Sequence, residues 1–353
     1  MYMSDTAISQ KDLTVLLEKV KAAKLPAKLE ETVVIRLEQL QKLIDSPSFL
    51  PEYDRITKYV DWITLVPWDK TTTDTLDLDN ARRVLDSHHY GLEEIKNRIL
   101  EYLAVMKLKK ERGEIEDINR APILFFVGLV GTGKTTIASS IAEAMGRSFA
   151  RIPFGGMGDP LDLRGLSRTH AEAEPGKVIK ALVDTKSRNP VILLDEIDRV
   201  TEQGRSSIMG VLVELLDPKQ NHSFVDHYID FPVDLSQVLF IGTANNTNNI
   251  ATAVMDRLEP IQMPSYTDQE KIAIGLKYVF PEKMKMAGLP QGSLTIREDV
   301  WPQVVRPLGY DAGIRTLERT IDGVVRKVAR MIVEGKAQSV TVTPENVKEF
   351  LPQ

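Results

Sequence analysis

The run Gly128-Leu129-Val130-Gly131-Thr132-Gly133-Lys134-Thr135 follows an apolar stretch from Pro122 to Val127 and opens a helical stretch that ends at Gly146. Residues of these types, placed between a strand and a helix, suit the binding of a phosphate chain. Gly128, Gly131 and Gly133 let backbone N–H groups curl around β- and γ-phosphates, with Thr132 and Thr136 in the same cradle. Lys134 reaches those phosphates as a point charge, and the Thr135 hydroxyl is placed to ligate Mg²⁺. A nucleoside triphosphate with Mg²⁺ is the expected ligand. The alternative is a glycine-rich turn that binds nothing.

A second chemical pair stands at Asp195-Glu196, directly after the apolar run Val191 to Leu194. Such a run reads as a buried parallel strand. Asp195 would then hold Mg²⁺ through water, and Glu196 would orient and deprotonate the attacking water. The competing reading is that two acids cap a helix start. A third apolar run, Val238 to Thr243, ends in Ala244-Asn245-Asn246. In P-loop ATPases that use a glutamate, an extra strand between the phosphate-binding and acidic strands places a polar side chain near the γ-phosphate, and Asn245 fits that role. Asn246 reads equally as a turn former. The Asn-Lys-x-Asp signature of guanine recognition is absent from the sequence, so the expected nucleotide is ATP.

With these residues in view, the stretch from Lys11 to Gln353 resembles the helical and ATPase part of the Lon family of ATP-dependent proteases, a branch of the AAA+ ATPases. The resemblance is carried by Tyr53 to Trp68, with Asp61-Trp62 and Pro67-Trp68, and by His89-Tyr90-Gly91-Leu92. Leu215-Leu216-Asp217-Pro218, Phe224 to Tyr228 and Ala312-Gly313-Ile314-Arg315 extend it. It implies that Arg257, within Met255-Asp256-Arg257, is an arginine finger reaching a neighbouring subunit's ATP, and that Arg315 is a second sensor of the γ-phosphate. It also implies that Tyr90, Gly91 and Leu92 line the adenine, and that the chain works in a homo-oligomer, a hexameric ring, on unfolded or misfolded protein. Without the resemblance, Arg257 reads as half of a surface ion pair, Arg315 as a first-turn helix residue and Tyr90 as a buried structural tyrosine.

One segment departs from the family. Its first pore loop usually carries an aromatic followed by an aliphatic residue, which grip polypeptide in a central channel; here Arg168-Thr169-His170-Ala171-Glu172 places His170 and Ala171 in those positions. An imidazole is flat but weakly apolar, so pulling on substrate is expected to be weak, altered or pH-sensitive. His170 also reads as an ordinary solvated loop residue. In the family the small C-terminal subdomain leads into a serine–lysine protease domain, and neither that dyad nor the N-terminal substrate-binding β domain is expected within these residues. The function expected from the resemblance is ATP hydrolysis that drives unfolding. A nucleotide-dependent scaffold that assembles without threading substrate is the alternative.

Composition sets the remaining bounds. Over 353 residues, 45 basic against 50 acidic side chains give a formal charge of −5, which provides no electrostatic footprint for nucleic acid. The absence of cysteine rules out disulfides and thiol-bound metals. Apolar runs fall short of the ~18 residues of a membrane span, and Met1 to Asp12 lacks a signal-peptide core, so a cytoplasmic protein without a membrane segment is expected.

The elements that must position this chemistry follow from periodicity. Residues 1–70 read as a helical segment broken at Pro26 and Pro47, with Val33, Leu37, Leu40 and Ile44 on one stripe. Residues 71–263 read as an α/β ATPase domain, a parallel sheet flanked by helices with nucleotide at the strands' carboxyl ends. Residues 264–353 read as a small all-helical subdomain. It opens on the capping box Thr267 to Glu270, continues through Ile314, Leu317, Ile321, Val325 and Val328, and ends in a helix begun by Thr343-Pro344.

Overall fold

The computed structural model describes residues 2–113, 122–307 and 311–351; Gln353, where the resemblance ends, lies outside them. The chain opens with helices α1 (Tyr2–Ala22), α2 (Ala27–Gln41) and α3 (Phe49–Leu65). Pro26 is the N-cap of α2, and Pro47 lies in the turn before α3, as expected of residues that cannot continue a helix. Leu29, Val33, Leu37 and Leu40 are buried along α2, whereas Ile44 falls beyond its end and is half-buried.

Alternating elements follow in chain order: α4 (Leu78–His88), α5 (Glu93–Glu111), β1 (Ile123–Val127), α6 (Lys134–Met145), β2 (Phe149–Pro153), α7 (Leu161–Arg164), α8 (Lys177–Thr185) and β3 (Val191–Asp195). Then come α9 (Arg205–Leu215), a short hairpin of β4 (Phe224–Val225) and β5 (Pro232–Val233), β6 (Leu239–Ala244), α10 (Thr252–Met255) and β7 (Leu258–Gln262). The last stretch holds α11 (Asp268–Ile274), α12 (Phe280–Met286), β8 (Leu294–Ile296), α13 (Trp301–Val305), α14 (Arg315–Val333), β9 (Val340–Val342) and α15 (Val347–Phe350).

The architecture is α/β, with a five-stranded parallel sheet ordered β2-β3-β6-β1-β7 and flanked by helices. Phe149 of β2 pairs with Val191 of β3, and Val191 with Leu239 of β6. Every residue of β1, β3 and β6 is buried, which is why these strands read as continuous apolar runs rather than alternating ones. Strand β6 lies between β3 and β1, where the inserted strand was expected.

By packing, the chain divides into two compact units. One comprises Met1–Asp77, Leu103–Phe125 and Ala142–Pro260; the other comprises Leu78–Tyr102, Phe126–Ile141 and Ile261–Gln353. In the second unit Trp301, Leu317, Ile321, Val324 and Val328 share one buried core. Its C-terminal stretch is helical except that β8 and β9 form a short parallel pair, burying Leu294, Ile296 and Val342. Strands of three residues are too short for periodicity to reveal. The capping box forms: the Thr267 side chain accepts from the Glu270 N–H (3.3 Å), and Glu270 accepts from the Thr267 N–H (2.8 Å).

In the first unit a polar tie fixes residues 72–74. Arg147, whose side chain is 3% exposed, donates to both Asp74 carboxylate oxygens at 2.7 Å and to the Gln237 carbonyl at 3.1 Å. Asn189 donates to the Thr72 carbonyl at 2.9 Å. Removing one member of a buried ion pair leaves the other charge desolvated and uncompensated. Arg147→Ala should therefore cost about 3 kcal/mol or more in urea unfolding. A loss below about 1 kcal/mol would show that the pair is not a structural tie.

Candidate functional site

In the second unit the phosphate loop departs from β1 with the backbone its glycines permit. Gly131 and Gly133 adopt φ of +82° and +92°, a region costly for side-chain-bearing residues. A Cβ on Gly128 would stand 2.7 Å from Met263, so this position also requires glycine. The Thr132 hydroxyl donates to the Leu129 carbonyl at 2.9 Å, and the Thr136 hydroxyl to the Gly133 carbonyl at 2.8 Å. Lys134 is buried and folds back, its ammonium donating to the carbonyls of Gly128 (2.6 Å) and Leu129 (2.9 Å). Thr135 is half-buried at the start of α6. Turning N–H groups and a cation into one concavity is what an anion-binding loop needs.

The start of α14 lies against this loop. A Cβ on Gly313 would come within 2.5 Å of both the Gly131 carbonyl carbon and the Val130 carbonyl oxygen, so backbone meets backbone there. The Ile314 N–H donates to the Gly131 carbonyl at 3.0 Å. Arg315 follows as the first residue of α14, exposed, with its Cγ 3.2 Å from where a Gly131 Cβ would be. Tyr266 donates its hydroxyl to the Thr132 carbonyl (3.2 Å) and its N–H to the Ala312 carbonyl (3.1 Å). Burial pushes the Tyr266 phenol up to about 12, so it stays a donor at neutral pH.

Tyr90, Gly91 and Leu92 lie at the turn between α4 and α5, with φ of +63° at Gly91 and +58° at Leu92. Tyr90 and Leu92 pack partly buried against the core around Trp301, and the Lys277 ammonium stands 5.3 Å from the centre of the Tyr90 ring. Beside them, the Ser140 hydroxyl of α6 lies 2.9 Å from His89 Nε2 and 3.1 Å from His88 Nδ1. His89 is buried, and that burial, with help from His88 and Lys96, lowers its pKa to about 4.

The acidic pair belongs to the first unit. Asp195 ends β3 with its side chain 5% exposed; it accepts from the Thr243 hydroxyl and is ion-paired with Arg151 at 2.6 Å. Glu196 has a left-handed backbone (φ 57°, ψ 48°), unusual for a residue with a side chain. This turn sends its N–H to the Thr243 oxygen at 2.9 Å, and its carboxylate pairs with Arg199 at 3.2 Å. At the end of β6 the N–H groups of Asn245 and Asn246 donate to one Asp198 oxygen at 3.2 and 3.3 Å. Thr243 and Asp198 thus bind the ends of β3 and β6 together, roles that an apolar run and a helix-like turn did not signal.

Arg257 donates to the Asp217 carboxylate at 2.9 Å and to the Ala253 carbonyl at 2.6 Å, with its side chain 26% exposed. The Lys219 N–H and then Arg257 itself hold the Asp217 carboxyl below its ordinary pKa. His170 and Ala171 are exposed in the loop between α7 and α8, which the His170 N–H helps shape by donating to the Ser167 carbonyl at 3.0 Å. No helix among the described residues is long and apolar enough to cross a membrane.

Two family matches cover most of this geometry. The ATPase family associated with various cellular activities (AAA) matches residues 124–266, and the Lon protease AAA+ ATPase lid domain matches residues 285–340. This chain is an AAA+ module of the Lon family. Lon protease 2 of Herpetosiphon aurantiacus is 41% identical over 343 residues, 97% of this chain and 41% of that protein. Lon protease 2 of Thermus thermophilus is 42% identical over 338 residues, 94% of this chain and 42% of that protein. The peroxisomal Lon protease homolog 2 of Danio rerio is 43% identical over 334 residues, 94% of this chain and 39% of that protein. The chain thus spans about two fifths of the length of these relatives.

The module should carry a pH dependence through His89. Folded, this ring stays neutral down to a pH of about 4, whereas an unfolded histidine protonates near 6.5. Between those values the unfolded state binds a proton that the folded state excludes, so stability drops as pH is lowered, by up to about 1.4 kcal/mol per unit. Above 6.5 the contribution is constant. Urea midpoints measured from pH 7 to 4 should show this extra slope in the parent and not in His89→Gln; equal slopes would refute it.

Proposed function

We propose that this module hydrolyses Mg²⁺-ATP and turns the cycle into pulling on unfolded or misfolded protein, as one subunit of a cytoplasmic hexameric ring. The observation that carries the nucleotide assignment is the phosphate loop. Gly131 and Gly133 take the positive φ that a tight phosphate-binding turn needs, Lys134 lies within the same loop on its own carbonyls, and Arg315 stands beside it through the Gly313 contact. Gly128, Thr132 and Thr136 complete the cradle, and Tyr90, Gly91 and Leu92 supply the adenine side.

The residues for a divalent ion are oxygen donors, which suit a hard cation such as Mg²⁺: the hydroxyl of Thr135 and the carboxylate of Asp195. Among the described residues no three His, Cys, Asp or Glu side chains cluster to hold an ion by themselves. When bound, Mg²⁺ neutralises phosphate charge. Glu196 takes the proton of the attacking water, its carboxylate steered by the left-handed turn at the end of β3. Asn245 holds the water or the γ-phosphate from the end of β6. Arg257, presented by Asp217, acts on the ATP of a neighbouring subunit, and Arg315 reads the γ-phosphate from the lid.

The second assignment, a nucleotide-dependent scaffold, is favoured by one observation: the tip of the loop that would grip polypeptide offers only His170 and Ala171, both solvated. Proteolysis of the captured chain would fall to a serine–lysine domain, as in the family.

Glu196→Gln should keep ATP binding and lose turnover by ~10²- to 10⁴-fold, the usual contribution of a positioned base. Parent-like hydrolysis at saturating ATP would exclude Glu196 as the base. Arg257→Ala and Glu196→Gln subunits should complement each other in mixed rings, because some sites then combine an intact glutamate with a neighbour's intact arginine. Activity no higher than that of the two variants alone, in rings shown to have mixed, would remove Arg257 from the neighbour's site.

A further inference from the structure

The loop from Gly165 to Gly176 that carries His170 and Ala171 closes on one buried carboxylate. Asp226 is 0% exposed, and its partners are backbone N–H groups: Gly176 donates to Oδ2 at 2.7 Å, while Tyr228 and Ile229 donate to Oδ1 at 2.8 and 3.0 Å. The other end of the loop meets the same group. A Cβ on Gly165 would lie 2.8 Å from each Asp226 oxygen and 2.8 Å from the Gly176 nitrogen. Gly176 is equally confined, since a Cβ there would lie 2.1 Å from the Leu163 carbonyl oxygen. Both loop ends are therefore glycine because carboxylate and backbone leave no room. The neck is tightened by the Leu166 N–H donating to the Glu174 carbonyl at 3.0 Å and the His227 N–H donating to the Arg164 carbonyl at 2.6 Å.

A second tie grips the loop nearer its tip. The Arg168 guanidinium lies 4.0 Å from the centre of the Tyr59 ring on α3 and donates to Asp230 at 3.1 Å. The Tyr59 hydroxyl donates to the carbonyl of Ile229, the residue whose N–H Asp226 holds. Beside the tip opens a cleft of about 180 Å³, bordered by Arg168, His170, Ala171 and Tyr228 and by Asp54 and Lys58 of α3.

We propose that Asp226 is the positioning residue of this loop: its carboxylate fastens both ends and thereby presents His170 and Ala171 at a fixed place to an extended polypeptide. The inference rests on the polypeptide-engaging role proposed above. An ionised carboxylate can accept all three N–H bonds at once, whereas an amide of the same shape turns its own NH₂ toward at least one of those donors. The neck should then open while the phosphate loop and Glu196 keep their geometry.

The test compares the parent with Asp226→Asn and with Gly165→Ala, which crowds the carboxylate from the loop's side without altering it. Hydrogen exchange by mass spectrometry over residues 165–176, and trypsin cleavage after Arg168, should both accelerate about tenfold or more in each variant. Basal ATPase turnover should stay within about twofold of the parent, while the concentration of an unfolded casein-type polypeptide giving half-maximal ATPase stimulation should rise about tenfold. A purely structural lesion would lower basal turnover as well. If Asp226→Asn does not fold, Gly165→Ala decides by the same measurements. Loop exchange equal to the parent's in the folded variants overturns the fastening, and faster exchange with unchanged half-stimulation overturns its link to polypeptide. If the parent itself shows no stimulation, the polypeptide-engaging role fails, and the exchange data alone still decide whether Asp226 fastens the loop.

Discussion

Two glycine backbones in the second unit meet with no space between them. A side chain on Gly313 would collide with the carbonyls of Val130 and Gly131, and this exclusion lets the Ile314 N–H close on the Gly131 carbonyl at 3.0 Å. Glycine-rich loops carry little order of their own, because each glycine loses more conformational freedom than any other residue when fixed. Here the order comes from outside the loop. Asp311 accepts from the N–H groups of Gly313 (3.2 Å) and Thr316 (3.3 Å), turning the chain into α14, and Tyr266 pins Thr132. The phosphate loop and the first residue of α14 are consequently one packed object, and a shift of the helix start has to be felt at Gly131. On the proposed function, this is the physical basis on which Arg315 can report the state of the γ-phosphate.

Four of the charged candidate groups share a second property: each already has a polar partner within its own chain. Lys134 sits on two loop carbonyls, Asp195 is paired with Arg151, Glu196 with Arg199, and Arg257 with Asp217. Such pairing follows from burial, since a charge removed from water without a partner is strongly disfavoured. The pairs differ in how hard they are to exchange. Arg199 and Arg151 are about half exposed, so their bonds to the acids cost little to break, whereas Lys134 is buried and has to trade its carbonyls for something that binds an ammonium at least as well. On the proposed function, the ligand that makes this trade is a triphosphate.

The parts that could be read directly from the chain were those specified over short distances. The phosphate loop, the Asp195-Glu196 step, the Thr267 capping box and the strand from Val238 are each set by neighbours within a few residues, and the buried strands revealed themselves by having no polar alternation. What the sequence did not show depends on pairs far apart in it. Thr243 was only the end of an apolar run until its hydroxyl was seen between Asp195 and the Glu196 N–H. Asp226 stands in the sequence only as one member of the motif Phe224 to Tyr228, and nothing local to Asp198 or Tyr266 signals the contact each makes. The Arg257–Asp217 pair was legible as two motifs but not as a contact, because nothing in either motif names the other. Pairs β4–β5 and β8–β9 escaped because strands of two or three residues have no period.

The Gly165 to Gly176 loop shows why firmness at the neck and weakness at the tip belong to the same problem. An aromatic gripping residue contributes enough apolar contact to offset the ordering of a mobile loop, which costs on the order of 1 kcal/mol for each immobilised side chain or backbone step. On the proposed function, His170 and Ala171 would bring less contact, so less ordering could be offset when polypeptide binds. A loop already fastened at Asp226, and stacked through Arg168 on Tyr59, has met much of that cost during folding. Preorganisation of this kind raises affinity without adding a contact. On the proposed function this bears on the polar tip as well: His170, exposed at the rim of the cleft beside Tyr228, would meet polypeptide from a backbone already fixed in place.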